Sequence, residues 1–142
     1  MDEADTPRLP RKPGMDKYSL PTVNPADMVV YRATARRQKT RQQQALARRR
    51  KRAWDLARCA ATLLKEHFGA SRVVVFGSLI HAGCFTLWSD VDIAAWDIVP
   101  HDTFRAIGAV HDLATDIAVN LVDVGACQPM IFTVIEREGV EL

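Results

Sequence analysis

The sequence predicts an α+β protein: a small mixed sheet with helices on one face, preceded by a long basic N-terminal helix. Three observations predict it. From about residue 53, apolar residues at helical spacing alternate with short β-branched runs, in the order α-β-α-β-α-β-α. Charge is segregated: residues 32–52 carry ten Arg or Lys and no acid, whereas residues 53–142 carry five Arg or Lys against twelve Asp or Glu. Finally, Val73-Val74-Val75-Phe76-Gly77-Ser78 is followed after eleven residues by Asp90-Val91-Asp92-Ile93. Both halves of that stretch read as strands, and both end or begin in residues that carry chemistry.

Residues 1–25 hold Pro7, Pro10, Pro13, Pro21 and Pro25 with few large apolar side chains, the composition of an extended arm. Tyr18 and Leu20 are its candidate anchors. Residues 26–52 form a basic helical extension, with Asp27 as a candidate cap and no Gly or Pro from 28 to 52. Apolar residues there are too sparse to bury much of it. Residues 53–142 are the expected domain. Trp54, Ala57, Ala60, Ala61, Leu64 and Phe68 recur at helical spacing and read as core, with Gly69 as the stop. Arg72 to Phe76 is the first strand, Ser78 to Ala82 a short helix, and Asp90 to Trp96 the second strand, with Trp88 packed under the loop between them. Pro100 opens a helix capped by Asp102, whose buried side is Phe104, Ile107, Ala109, Val110 and Leu113. Ile117 to Val122 is the third strand. Pro129 opens the last helix, with Met130, Ile131, Val134 and Ile135 as its apolar face and Gly139 as its end.

Composition excludes several classes. No apolar run approaches membrane-spanning length and the N-terminus lacks a signal-peptide core, so a cytoplasmic protein with no membrane partner is expected. Cys59, Cys84 and Cys127 are an odd number without Cys-x-x-Cys pairing, and read as free thiols of a reducing compartment. His67, His81, His101 and His111 have no zinc-ligand spacing and read as surface or cap residues.

The chemistry sits in the Gly-Ser and Asp-x-Asp stretch. A glycine after a buried strand allows a tight turn and close backbone approach. Ser78 can then open a short helix whose free N–H groups suit phosphate oxygens. Asp90 and Asp92 alternate onto one face of their strand, where two carboxylates can share a hard cation such as magnesium. A phosphate cradle beside a divalent cation is what phosphoryl or nucleotidyl transfer requires. The bland reading is a chance turn followed by solvated edge aspartates.

Phe76-Gly77-Ser78, the spacer Leu79 to Ser89, and Asp90-Val91-Asp92-Ile93 together resemble the signature of the DNA polymerase beta-like nucleotidyltransferase superfamily. Over residues 53–142 the chain is similar to its minimal nucleotidyltransferase domains, down to Asn120-Leu121-Val122-Asp123-Val124 and Glu138-Gly139-Val140-Glu141-Leu142. The resemblance implies a polymerase-beta-like palm. It implies that Gly77 and Ser78 hold the β/γ phosphates of an NTP, ATP in the first place, and that Asp90 and Asp92 hold Mg²⁺ or Mn²⁺. It implies transfer of a nucleoside monophosphate, AMP foremost, to a hydroxyl of a protein or RNA, in some members as the antitoxin of a HEPN-type ribonuclease toxin. One departure is small: the family often has glycine where Ala82 stands, and here Gly83 follows. The other falls at the catalytic centre. Asn120 stands where the family has a third aspartate, which helps to activate the attacking hydroxyl. An amide offers a carbonyl oxygen but no charge, and accepts no proton. Asp123 is three residues on and faces the opposite way in a regular strand. Asp116 has the right parity but lies about 13 Å away along an extended chain.

Arg48, Arg49, Arg50, Lys51 and Arg52 form an unbroken cationic block. It reads either as a solvated helical face or as a contact surface for RNA, DNA or an acidic protein. Aromatic interleaving is missing, which argues against single-strand stacking. Besides the enzyme, two other functions fit the residues: a catalytically weakened nucleotide-binding protein that acts by docking on a partner, and a nucleic-acid-binding module built on residues 32–52.

Overall fold

A computed structural model describes Thr22 and residues 24–142. The expected arm, with Tyr18 and Leu20, lies outside the described residues, apart from Thr22, Asn24 and Pro25, and Pro25 opens the first helix. The described residues divide into two units, the first ending at Gln38 and the second running from Lys39 to Leu142. A single helix, α1, runs from Pro25 to His67, so the basic stretch and the apolar stripe after it belong to one element. In the first unit the helix start is held by Asn24, whose Oδ1 accepts from the Ala26 N–H at 3.1 Å, the role expected of Asp27.

The second unit is an α+β domain with a long helix at its N-terminal side, as the sequence predicts. Its elements follow in the order β1 (Arg72–Phe76), a 3₁₀ turn (Gly77–Ile80), β2 (Val91–Trp96), a 3₁₀ turn (Pro100–Asp102), α2 (Thr103–His111), β3 (Val119–Asp123), a 3₁₀ turn (Val124–Ala126), α3 (Pro129–Glu138) and β4 (Val140–Glu141). The four strands lie in the order β3-β2-β1-β4, and the sheet is mixed. β1 is antiparallel to β2 and to β4, while β2 and β3 are parallel. A parallel pair needs a crossover, and α2 supplies it.

Val73, Val74 and Val75 are all fully buried, which tells of a strand covered on both sides. One face packs Val73, Val75, Val91, Ile93, Ala95, Val119 and Leu121 against α1 and α2. The α1 contribution is dominated by small residues, Ala53, Ala57, Ala60 and Ala61, each 4% exposed or less. They let the helix backbone lie close to the strands, with Leu56 and Leu64 filling the gaps. Thus α1 and α2 cover one face as expected. α3 sits on the other, where Ile135 joins Val74 and Ala94.

Several local expectations are corrected. The helix expected at Ser78 to Ala82 is the 3₁₀ turn Gly77–Ile80, because the chain turns back at His81. Trp88 is 90% exposed and packs under nothing; Phe85, at 3%, fills that place. Phe104 is 86% exposed; of the side expected for α2, Val110 is buried and Ile107 and Leu113 pack partly buried against the core, joined by Ala106. Asp102 takes the N-cap position of α2 but its side chain makes no capping hydrogen bond. On α3 only Ile135 is buried, and Met130, Ile131 and Val134 are exposed. That helix is seated through its polar side as well: Arg72 binds Glu136 at 2.9 Å while its guanidinium lies over the Trp96 ring at 4.4 Å. The third strand begins at Val119 rather than Ile117. β4 was not anticipated; it pairs Val140 with Val75 and Glu141 with Val74.

Gly139 ends α3 as predicted, but through space rather than backbone conformation. Its φ is −63°, open to any residue. A Cβ there would lie 2.1 Å from Val74 Cγ1 and 2.5 Å from the Ile135 carbonyl oxygen. Gly139→Ala therefore overpacks the joint between α3, β1 and β4 and should destabilise the protein by about 1–3 kcal/mol. Gly108→Ala, in α2 with nothing within 4 Å of its Cβ, should instead stabilise it by about 0.5–1 kcal/mol. Urea unfolding of the two variants beside the parent checks both signs.

Candidate active site

Strand register assembles the site. β1 places Phe76 opposite Asp92, and the parallel β2–β3 pair places Asp92 opposite Asn120. Side chains directly opposite share a face, so Phe76, Asp92 and Asn120 stand side by side on the face that also carries Val74 and Ala94. Gly77 follows Phe76 with φ +76°. A Cβ on it would come within 2.7 Å of Asp92 Oδ2. The position thus demands glycine twice, for its left-handed backbone and for the carboxylate pressed against it. The two halves of the sequence motif are in contact through Gly77 and Asp92.

Asp92 is half-buried, and burial pushes its carboxyl above the usual range; the hydrogen bond from Asn120 opposes the shift and the neighbouring Asp90 adds to it. Asn120 donates its Nδ2–H to Asp92 Oδ1 at 3.3 Å. Asp90 is exposed, one residue before β2. Two carboxylates, one desolvated and repelled by the other, form a place where a cation relieves both penalties. The oxygen donors of Asp90 and Asp92 are of the kind that suits a hard divalent cation. Among the described residues no group of three or more His, Cys, Asp or Glu gathers in a metal-binding arrangement. Asn120, opposite Asp92, is an amide and adds no third carboxylate to the pair.

Neither alternative carboxylate replaces it. Asp123 accepts from Thr103 Oγ1 at 2.9 Å and from the Gly125 N–H at 3.0 Å, and so fastens α2 and the turn after β3. Asp116 accepts from Arg52 Nε at 2.7 Å, and that hydrogen bond holds its carboxyl below the usual range. Ser78 lies half-buried in the 3₁₀ turn directly after Gly77.

The cationic block divides. Arg48 and Lys51 are exposed, and Lys51 with Arg50 borders a groove of about 410 Å³ alongside Trp54, Ala82 and Phe85. Arg49, Arg50 and Arg52 turn to the domain instead. Arg49 donates to the Asp116 and Ser89 carbonyl oxygens at 3.1 and 3.0 Å, and Arg50 donates to the Leu79 carbonyl oxygen at 3.2 Å. The sequence held a signal for this. Leu46, Arg50, Ala53, Ala57, Ala60 and Leu64 recur three or four residues apart, so the inward stripe of α1 passes through the block.

No protein-family model matches the chain, and no curated protein matches it. Solved structures to which it is similar include two. One is a mutant form of the toxin-antitoxin pair MntA-HpeT, at 22% identity and TM-score 0.47 over 58% of this chain and 67% of that one. The other is a protein of Sulfolobus solfataricus described as a nucleotidyltransferase, at 17% identity and TM-score 0.48 over 68% of this chain and 85% of that one.

The Asp92 shift gives a signed prediction. A carboxyl whose folded pKa lies above its unfolded value favours the folded state at low pH, and that contribution is lost as pH rises through the folded pKa. Asp92→Asn removes the penalty. Without divalent cations, the variant should be more stable than the parent at pH 7, with the gap closing as pH falls toward 4. Added Mg²⁺ should raise the parent's Tm and leave the variant's unchanged. Thermal unfolding across that pH range, with and without Mg²⁺, measures both effects.

Proposed function

We propose that the protein is a nucleotidyltransferase that moves a nucleoside monophosphate, AMP in the first place, from an NTP to a hydroxyl group. The observation that carries this reading is the contact of Gly77 with Asp92 beside Asn120: a glycine turn and two carboxylates at one open end of a sheet face. In this reading the turn Gly77-Ser78 receives the β and γ phosphates. Asp90 and Asp92 hold Mg²⁺ or Mn²⁺, which neutralises phosphate charge when bound. The acceptor oxygen attacks the α-phosphorus, pyrophosphate leaves with the bonding electron pair, and the acceptor proton passes to solvent or to a neighbouring base. Positioning and charge neutralisation carry most of the rate. The acceptor is a protein or an RNA, and a HEPN-type toxin is the protein acceptor that the family resemblance implies.

A second reading is favoured by Asn120 itself. Its amide donates to Asp92 and cannot take the acceptor's proton. A protein that keeps the nucleotide site and acts by docking on a partner has no need of that proton acceptor.

The substitution Asn120→Asp decides between them. The change is nearly isosteric and adds a charged ligand next to Asp92. General-base assistance is typically worth about 10²–10⁴-fold, so transfer of labelled nucleotide into protein or RNA of a lysate from the source cells should rise by about that factor. NTP affinity should change far less. Asp92→Ala serves as the blank. A parent that is already active and gains nothing from the substitution removes the assigned role of position 120. Two forms that bind NTP but transfer nothing favour the docking reading.

A further inference from the structure

We propose that Arg49 and Arg50 are positioning residues of this site: from α1 they hold the backbone of the segments on which Ser78, Asp90 and Asn120 stand. The inference rests on the functional reading above only in calling the site a nucleotide site. Each bond reaches one of those segments. The Leu79 carbonyl, bound by Arg50, belongs to the residue after Ser78. The Ser89 carbonyl, bound by Arg49, belongs to the residue before Asp90. The Asp116 carbonyl, also bound by Arg49, lies on the approach to β3 and Asn120. The planar fork of Arg49 thereby joins the lead-in of β2 to that of β3, whose parallel starts are also linked by the Val91 N–H to the Ala118 carbonyl at 2.9 Å.

Two observations set these arginines apart from ordinary surface cations. The Nε atoms of both are buried without a hydrogen-bond partner. A buried unmade donor is a standing penalty, so the guanidinium groups are retained for the bonds at their far ends. Arg52 is the contrast. Its pair with Asp116 is about half exposed on both sides, and such a pair contributes little. The loop before Asp90 is tied mainly to itself, through Ser89 Oγ to Thr86 and the Ser89 N–H to the Thr86 carbonyl.

The test uses the full chain with Arg49→Met, Arg50→Met, Arg49→Lys, Arg50→Lys and, as control on the same helix, Arg58→Met. The first readout is amide hydrogen exchange without ligand. Arg50→Met should speed exchange at His81, whose N–H binds the Ser78 carbonyl, and Arg49→Met at Ser89 and Val91, while amides of the β1–β2 pair keep the parent's protection. The second readout is calorimetry with Mg–ATP, where loss of groups that orient ligands typically lowers affinity about 10- to 100-fold. Arg50→Lys, which needs to reach one carbonyl, should recover most of the loss. Arg49→Lys, which cannot span two, should not. Unchanged exchange at His81, Ser89 and Val91, or exchange that rises equally throughout the sheet, overturns the inference. If the methionine variants do not fold, the lysine pair carries the comparison. A parent that binds no Mg–ATP sinks the functional reading, and the exchange pattern still decides the positioning role.

Discussion

The approach of Gly77 to Asp92 is the constraint on which the rest of the domain depends. It exists because β1 and β2 pair with Phe76 opposite Asp92. A one-residue slip in that register would turn every side chain of one strand to the other face. Asp92 would then point into the α1 side, the side of Val75 and Ala60. Nothing there balances a charge. The register is therefore enforced by the apolar residues of both faces. Val73, Val75, Ile93 and Ala95 require the α1 side, while Val74 and Ala94 require the side of Ile135. The core and the site are specified by the same alternation of residues in β1 and β2.

What the sequence made legible follows the reach of each signal. The Gly77-Ser78 and Asp90-x-Asp92 pattern is local within each half, and β-branched flanks located both strands to within a residue or two. The buried stripe of α1 was legible because alanines and leucines at helical spacing have few other uses. Asn120 was placed by its position before Leu121-Val122-Asp123, and the parallel pairing sets it opposite Asp92. β4 was not legible, since two residues have no periodicity, and its partner β1 lies some sixty residues earlier in the chain. The burial of Trp88 and Phe104 was misjudged for a related reason. Apolar character says that a side chain gains from burial, but whether a neighbour arrives depends on tertiary geometry. Around Trp88 the place is taken by Phe85, and on α2 by the smaller Ala106 and Val110.

The cationic block was the hardest stretch to read, because arginine is ambiguous in a way that leucine is not. Its aliphatic stem can lie along apolar surface while the guanidinium reaches a polar group beyond. Here the polar groups are backbone carbonyls, which carry no residue-specific mark in a sequence. Lysines and arginines on the outward side of α1, such as Arg48 and Lys51, read identically to the inward ones. Only their phase relative to Ala53 and Ala57 separates the two sets.

These features share an energetic character. Gly77 adopts a backbone conformation closed to most residues, Asp92 carries a charge in a half-buried place, and Arg49 and Arg50 leave donors unpaired. Each is unfavourable where it stands: Gly77 lies against Asp92, Arg50 binds the carbonyl two residues after Gly77, and Arg49 the one three residues before Asp92. A fold selected for stability alone would replace the carboxylate with an apolar residue and free the arginines to reach solvent. Local strain of this kind persists only where the surroundings over-determine it. The surroundings are the buried middle of β1, Val73 to Val75, on one side and the alanine seam of α1 on the other. That division of labour leaves the size of the apolar residues of the sheet fixed by close packing, while position 120 beside them is under no such constraint. Asn120 is exposed at the rim and fills no core space, so the chemistry at that position can change without a change in the fold.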